Sequence, residues 1–64
     1  MINSYNEAIE RLSELVEYED YEVSHEEADD ILSTCLQLAV TQNWTIEQAN
    51  AIRVTYEAVG KWYA

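Results

Sequence analysis

Residues 16–30, VEYEDYEVSHEEADD, hold eight carboxylates and no Lys or Arg. Carboxylates at this density can do acid–base work, ligate a hard cation or meet a basic surface. The first two need companions that are missing. Gly60 is the single glycine, so there is no Gly-rich phosphate loop. His25 and Cys35 are ten residues apart, about 15 Å if on one helix, which is too far for a nucleophile–base dyad. Cys35 falls on an apolar face and reads as a small core residue, and His25 reads as an exposed residue at the first position of a helix. The run HEEADD has no Gly-containing calcium-loop spacing and is not HExxH. Its i,i+4 neighbours, Glu26 with Asp30 and His25 with Asp29, offer only adventitious divalent binding. No catalytic residue, metal site or cofactor is expected. A chain of 64 residues buries only about 60% of its unfolded surface, which leaves hardly any room for an enclosed substrate cavity, so an enzyme is not expected either.

Recognition of a basic surface remains. Glu7, Glu10, Glu14 and Glu17 are spaced 3, 4 and 3, in one line on the helix face opposite the apolar residues. Arg11 interrupts that line, four residues after Glu7 and placed to pair with it. Glu19, Asp20 and Glu22 occupy the following connection. Glu26, Glu27, Asp29 and Asp30 crowd the first two turns of a second helix, where its dipole favours them by about 0.3–1 kcal/mol each. Eleven of the thirteen acids lie in residues 7–30. The second half carries Glu47 and Glu57 against Arg53 and Lys61 and is nearly neutral. Like-charge neighbours on a helix cost about 0.2–0.5 kcal/mol each, against a total stability of about 3–10 kcal/mol for a chain of this size. Such a single-sign field goes beyond what solubility needs. Carboxylates at i,i+3 and i,i+4 stand about 5–6 Å apart at Cβ, a spacing that resembles strand phosphates. The expected partner-binding residues are therefore Glu10, Glu14, Glu17, Glu19, Asp20, Glu22, Glu26, Glu27, Asp29 and Asp30. Tyr18 and Tyr21, interleaved with them, either anchor the partner or cap the end of the core.

The elements that carry these acids are marked by three hydroxyl residues, each followed three positions on by Glu or Gln: Ser4/Glu7, Ser24/Glu27 and Thr45/Gln48. Each reads as a capping box, in which the hydroxyl accepts from the N–H three residues on and the Glu or Gln reaches back. Val23 facing Ala28 and Trp44 facing Ala49 add hydrophobic staples to two of them. Apolar stripes follow: Tyr5, Ala8, Ile9, Leu12, Leu15 and Val16; then Ala28, Ile31, Leu32, Cys35, Leu36, Leu38 and Ala39; then Ala49, Ile52, Tyr56, Val59 and Tyr63. The spacing predicts helices near 4–18, 25–42 and 46–62, joined by connections of about six and about three residues. That makes one all-α domain over residues 1–64, a compact three-helix bundle with antiparallel neighbours. The absence of proline and the single glycine agree with it. The third stripe is widened by Ala51, Val54, Ala58 and Trp62, so helix three is expected either to lie between the other two or to meet a second copy. Val54, Ala58 and Trp62 are the expected dimer or secondary interface, with a monomer as the expected state. Trp44, Tyr5 and Tyr56 read as core and rim packing.

A formal charge of -10 repels nucleic acid and anionic lipid and attracts basic protein surfaces, so the expected partner is the basic surface of a nucleic-acid-binding protein, with no direct nucleic acid and no membrane. The longest apolar run is three residues, too short for a membrane span. No basic n-region or apolar h-region opens the chain, and one lone cysteine suits a reducing compartment, so a cytoplasmic setting is expected, that of the host cell if the chain is phage-encoded. A carrier-protein role would need an Asp-Ser-Leu triplet around a prosthetic-group serine, and none is present.

In size, charge and the run at residues 16–30, the chain resembles the small acidic inhibitors of phages and mobile elements, including anti-CRISPR and anti-restriction DNA mimics. That class shares no sequence motif, so the resemblance places no residue in a role. It implies a stoichiometric inhibitor whose acidic, nucleic-acid-mimicking surface docks on the basic groove of a defence complex. The alternative is a small interaction module, an antitoxin, immunity or regulatory subunit, acting through the apolar surface of helix three.

Overall fold

Helix starts decide this architecture. Ser4 caps the first helix, its Oγ accepting from the Glu7 N–H at 3.2 Å. The Glu7 carboxylate reaches past the cap to accept from the Asn3 N–H, so the reciprocal half of the expected box is displaced by one residue. Thr45 and Gln48 form the full box at the third start. The second start is different. Asp20, not Ser24, is the cap, its Oδ1 accepting from the Val23 N–H at 3.1 Å. The computed structural model thus has α1 at Tyr5–Val16, α2 at Tyr21–Thr41 and α3 at Ile46–Ala58, and it describes residues 2–60. No strand occurs among the described residues, and the fold is the all-α three-helix bundle expected.

The earlier start of α2 has a physical cause. Asp and Ser are comparable caps, so the choice passes to what each start leaves for the rest of the chain. Starting at Tyr21 adds a turn of backbone bonding, including Ser24 N–H to the Asp20 carbonyl at 3.0 Å. It turns Ser24 fully inward, where its hydroxyl donates to the Tyr21 carbonyl. It also leaves the Glu27 carboxylate free to cross to α1 instead of folding back on its own helix. The expected Val23 staple disappears as a result, since Val23 now sits within the first turn and is 47% exposed. His25 becomes the fifth residue of α2 and is half-buried, not the exposed first residue. The dipole argument moves as well: Glu22 lies in the first turn, while Asp29 and Asp30 stand further into the helix than expected.

α2 ends on a left-handed residue, Asn43 at φ 54°, with the Trp44 N–H bonded back to the Ala39 carbonyl. That 6→1 bond belongs to a Schellman stop, and Asn tolerates the left-handed region better than most side chains. Gly60 at φ 67° follows the Val59 cap of α3. α3 therefore ends at Ala58, short of the expected residue 62, and the calls on Trp62 and Tyr63 lie outside the described residues.

The core is small. Ala8, Leu12 and Leu15 of α1 meet Ala28, Ile31 and Cys35 of α2 and Ile52 and Val59 near α3, with Tyr5, Ile9, Val16, Leu32, Trp44 and Tyr56 packed around them. Trp44 meets Tyr5 edge to face at 5.5 Å, and its indole N–H donates to Gln42. Gln42 in turn donates to the Asn3 carbonyl, tying the end of α2 to the start of the chain. Cys35 is buried as expected, and burial pushes its thiol pKa up.

Two expectations about the stripes are corrected. Leu36 was placed with the core but is 68% exposed. Of the two expectations for helix three, a place between the others is not met: α1 packs closely on both α2 and α3, while α2 and α3 meet least. The reason is register: α1 has small and medium apolar residues at every inward position, so both neighbours can seat on it. α3 keeps Ile46, Ala49 and Val54 exposed and cannot fill that role.

Asp20→Ala is expected to remove about 1 kcal/mol of stability in urea denaturation, the usual value of an N-cap. An unchanged midpoint would mean that α2 does not start at Tyr21.

Candidate functional site

The acidic surface is built by the outer face of α1, the connection at residues 17–20 and the first half of α2. Glu7, Glu10, Glu14, Glu17, Glu19, Asp20, Glu22, Glu26, Asp29 and Asp30 are all exposed. One cation lies within it. Arg11 does not pair with Glu7, as its spacing suggested, but reaches across to α2. Its Nη2 donates to Glu27 Oε1 at 2.9 Å and its Nε to Glu27 Oε2, a bidentate fork. Its Nη1 donates to Glu14 Oε1 at 2.9 Å, and Nη2 also donates to the Tyr18 hydroxyl at 3.0 Å. The guanidinium carbon stands 5.4 Å from the Tyr18 ring centre, within cation–π range.

This cluster changes the electrostatics in a definite direction. Hydrogen bonding from Arg11 pulls the Glu27 pKa below its ordinary value of 4.5, with burial opposing. Glu27, then Glu14 and Tyr18, raise the Arg11 pKa further. The arginine is therefore committed inward, and its charge is spent on two of the acids. Among the described residues the salt bridges join Arg11 to Glu14 and Glu27, and Arg53 to Glu57. The exposed acids listed above, Glu14 apart, face outward without appearing in those bridges.

Between α1 and α2 an open groove of about 350 Å³ is lined by Glu7, Glu10, Arg11, Glu14 and Glu27, with Ile2 and Ile31 below. Glu7 and Glu10, which take no part in the Arg11 bridges, share this groove with Ile2 and Ile31, a lining that suits the charged head and aliphatic stem of a Lys or Arg side chain. Tyr18 packs on the core and accepts from Arg11, so it closes the end of the bundle. Tyr21 is half-buried at the start of α2. On the other flank, the Tyr56 hydroxyl donates to Asp29 Oδ1 at 2.6 Å, and this bond together with burial raises the Tyr56 pKa. No group of three or more His, Cys, Asp or Glu side chains among the described residues is arranged to hold a metal ion.

A second groove went unread in the sequence. It lies between α2 and α3, encloses about 250 Å³ and is lined by Leu32, Cys35, Leu36, Ala39, Trp44, Ala49, Ile52 and Arg53. Its signal was available, since Leu36 and Val40 are i,i+4 neighbours and Ile46 opens α3, but a two-sided stripe looks the same as a wide core stripe until helix packing is known. Of the expected secondary interface, Val54 is 56% exposed, Ala58 is half-buried and Trp62 is outside the described residues.

Both side chains of the Arg11–Glu27 fork are about one-third exposed, which limits the pair to about 1 kcal/mol after solvent screening. Glu27→Gln should lower Tm by about 4–8 °C, the shift that 1 kcal/mol gives in a domain of this size. Because Glu27 has a depressed folded pKa, its contribution is complete above 4.5 and is lost as pH falls through the lower folded value. The gap between wild type and Glu27→Gln should therefore close in acid. A gap that persists below pH 2 would show that the side chain acts by packing. Added NaCl should raise wild-type Tm, since salt screens exposed like charges more than the part-buried fork. A fall in Tm would mean that attraction dominates this surface.

Compared with protein-family models, curated proteins and solved structures, the chain matches none of them, and its function has to be argued from these two surfaces.

Proposed function

We propose that this protein is a stoichiometric inhibitor that binds another protein through its acidic α1–α2 surface, in competition with nucleic acid. The observation that carries the reading is the fate of Arg11: the one Lys or Arg in residues 7–30 is bonded to Glu27 and Glu14, while nine other carboxylates of that stretch stay exposed. A surface evolved for solubility alone would mix signs across its exposed positions. Here the positive charge serves to brace two helices, and the outward field keeps a single sign. The helical scaffold holds the acids in fixed positions, so binding a basic groove costs little ordering of the backbone, and steering by the field speeds encounter.

The partner class follows from the charge. A Lys- and Arg-lined groove that normally holds a phosphate backbone offers the complementary potential. A nucleic-acid-binding defence complex, such as a CRISPR effector or a restriction system, is the target class that the resemblance to DNA-mimic inhibitors favours. Lys or Arg side chains of the partner would enter the groove beside Glu10 and Glu14, and the rim from Glu17 to Glu22 would extend the contact. The alternative, an antitoxin, immunity or regulatory subunit acting through helix three, keeps Val54 as its exposed apolar residue.

The test is capture of partners from host lysate on the immobilised protein at low salt, followed by elution with duplex DNA. The expected partner binds nucleic acid by itself, is released by DNA and is released by raised salt. The combined variant Glu17→Lys, Glu19→Lys and Glu22→Lys, which spares the Asp20 cap of α2, should retain none of it. Undiminished capture by that variant would sink the proposal.

A further inference from the structure

We infer that the apolar groove between α2 and α3 is a homodimer interface, occupied by the same face of a second copy of this chain. Three of the most exposed large apolar side chains border this side of the molecule: Leu36 at 68%, Val40 at 78% and Ile46 at 79%. Leu36 lines the groove, Val40 lies one turn beyond it on α2, and Ile46 shares its α3 face with the groove residues Ala49 and Arg53. The groove floor is Leu32, Cys35 and Ile52, so exposed apolar surface runs directly into the core. Contiguous apolar surface of this kind marks an interaction site.

Charge identifies the occupant. No α1 residue lines this groove, and none of its lining residues is acidic. Across residues 31–56 the charged side chains are Glu47 and Arg53, one of each sign. A basic partner is drawn to the opposite, acidic face of the molecule, where the field is. A second copy, itself at -10, is repelled by that face and meets a near-neutral surface along residues 31–56. A two-fold axis near Leu36 runs α2 antiparallel to its counterpart. The acidic first half of each α2 then lies beside the second half of the other, and residues 31–42 contain no charged side chain. Such an isologous contact is self-complementary and closed.

Stability points the same way. Among the described residues the buried core is eight apolar residues, two of them alanines, and the single cysteine leaves no disulfide within the chain. Chains of this size commonly gain their remaining stability by association. The dimer also has a consequence for the acidic surface: both copies turn it outward, giving one body with two acidic faces. The interface itself stands whether or not those faces bind a nucleic-acid-binding protein.

Sedimentation equilibrium of the full chain tests the inference. Wild type should have twice the 7.4 kDa chain mass and keep it, or associate more tightly, at high salt. Leu36→Glu and Val40→Glu should each halve the mass while keeping the wild-type helical CD spectrum, because both side chains are exposed within the protomer. Glu14→Gln, on the other groove, should leave the mass unchanged. A wild-type mass of 7.4 kDa at high protein concentration overturns the inference, including the case in which the groove takes a different protein. A doubled mass that survives both substitutions overturns it as well.

Discussion

The contact between Arg11 and Glu27 spans sixteen residues of sequence and joins the two helices that carry eight of the thirteen acids. Among the described residues it is the salt bridge that links α1 to α2, whose exposed charged positions are all acidic. The fork supplies a geometrically fixed attraction where the surrounding field is repulsive, and the Tyr18 ring and hydroxyl fix the guanidinium from a third side. A lysine could not replace it, because one ammonium cannot make the bidentate fork and reach Glu14 and Tyr18 from the same plane.

The packing of the bundle is unequal. α1 is held on α2 by a charged bond at the rim and by Leu12 and Leu15 below, and it carries α3 on its remaining inward surface. Nothing comparable draws α2 and α3 together along their length. Tyr56 reaches Asp29 at one end, and the short connection with its Asn43 turn joins them at the other. Between these ends the two helices leave an apolar groove. The acidic groove and the apolar groove thus lie on either side of α2, one against α1 and the other against α3.

The two surfaces differ in how solution conditions act on them. The acidic face works through a field that salt weakens within a Debye length of about 8 Å at physiological ionic strength. The apolar face gains from salt, since screening lowers the repulsion between two chains of like charge while burial of apolar surface is unaffected. The partner contact proposed for the acidic face and the dimer contact inferred for the apolar groove use different residues.

Much of this molecule was determined by its sequence alone. Three apolar stripes at helical spacing and the Ser4 and Thr45 starts place α1 and α3 to within a few residues, and the i,i+3 and i,i+4 acids had to share outer faces because helix geometry leaves no other arrangement. Cys35 as a core residue followed from its stripe. Local pattern could not choose between Asp20 and Ser24 as the start of α2, because both are good caps and the deciding bond, Glu27 to Arg11, is made to another helix. It could not place Leu36 outside the core, or α1 rather than α3 at the centre, because a stripe records that a face is apolar and not which neighbour covers it. Those outcomes depend on how three helices share too little apolar surface under a charge that one arginine holds in place, and only the tertiary structure carries that information.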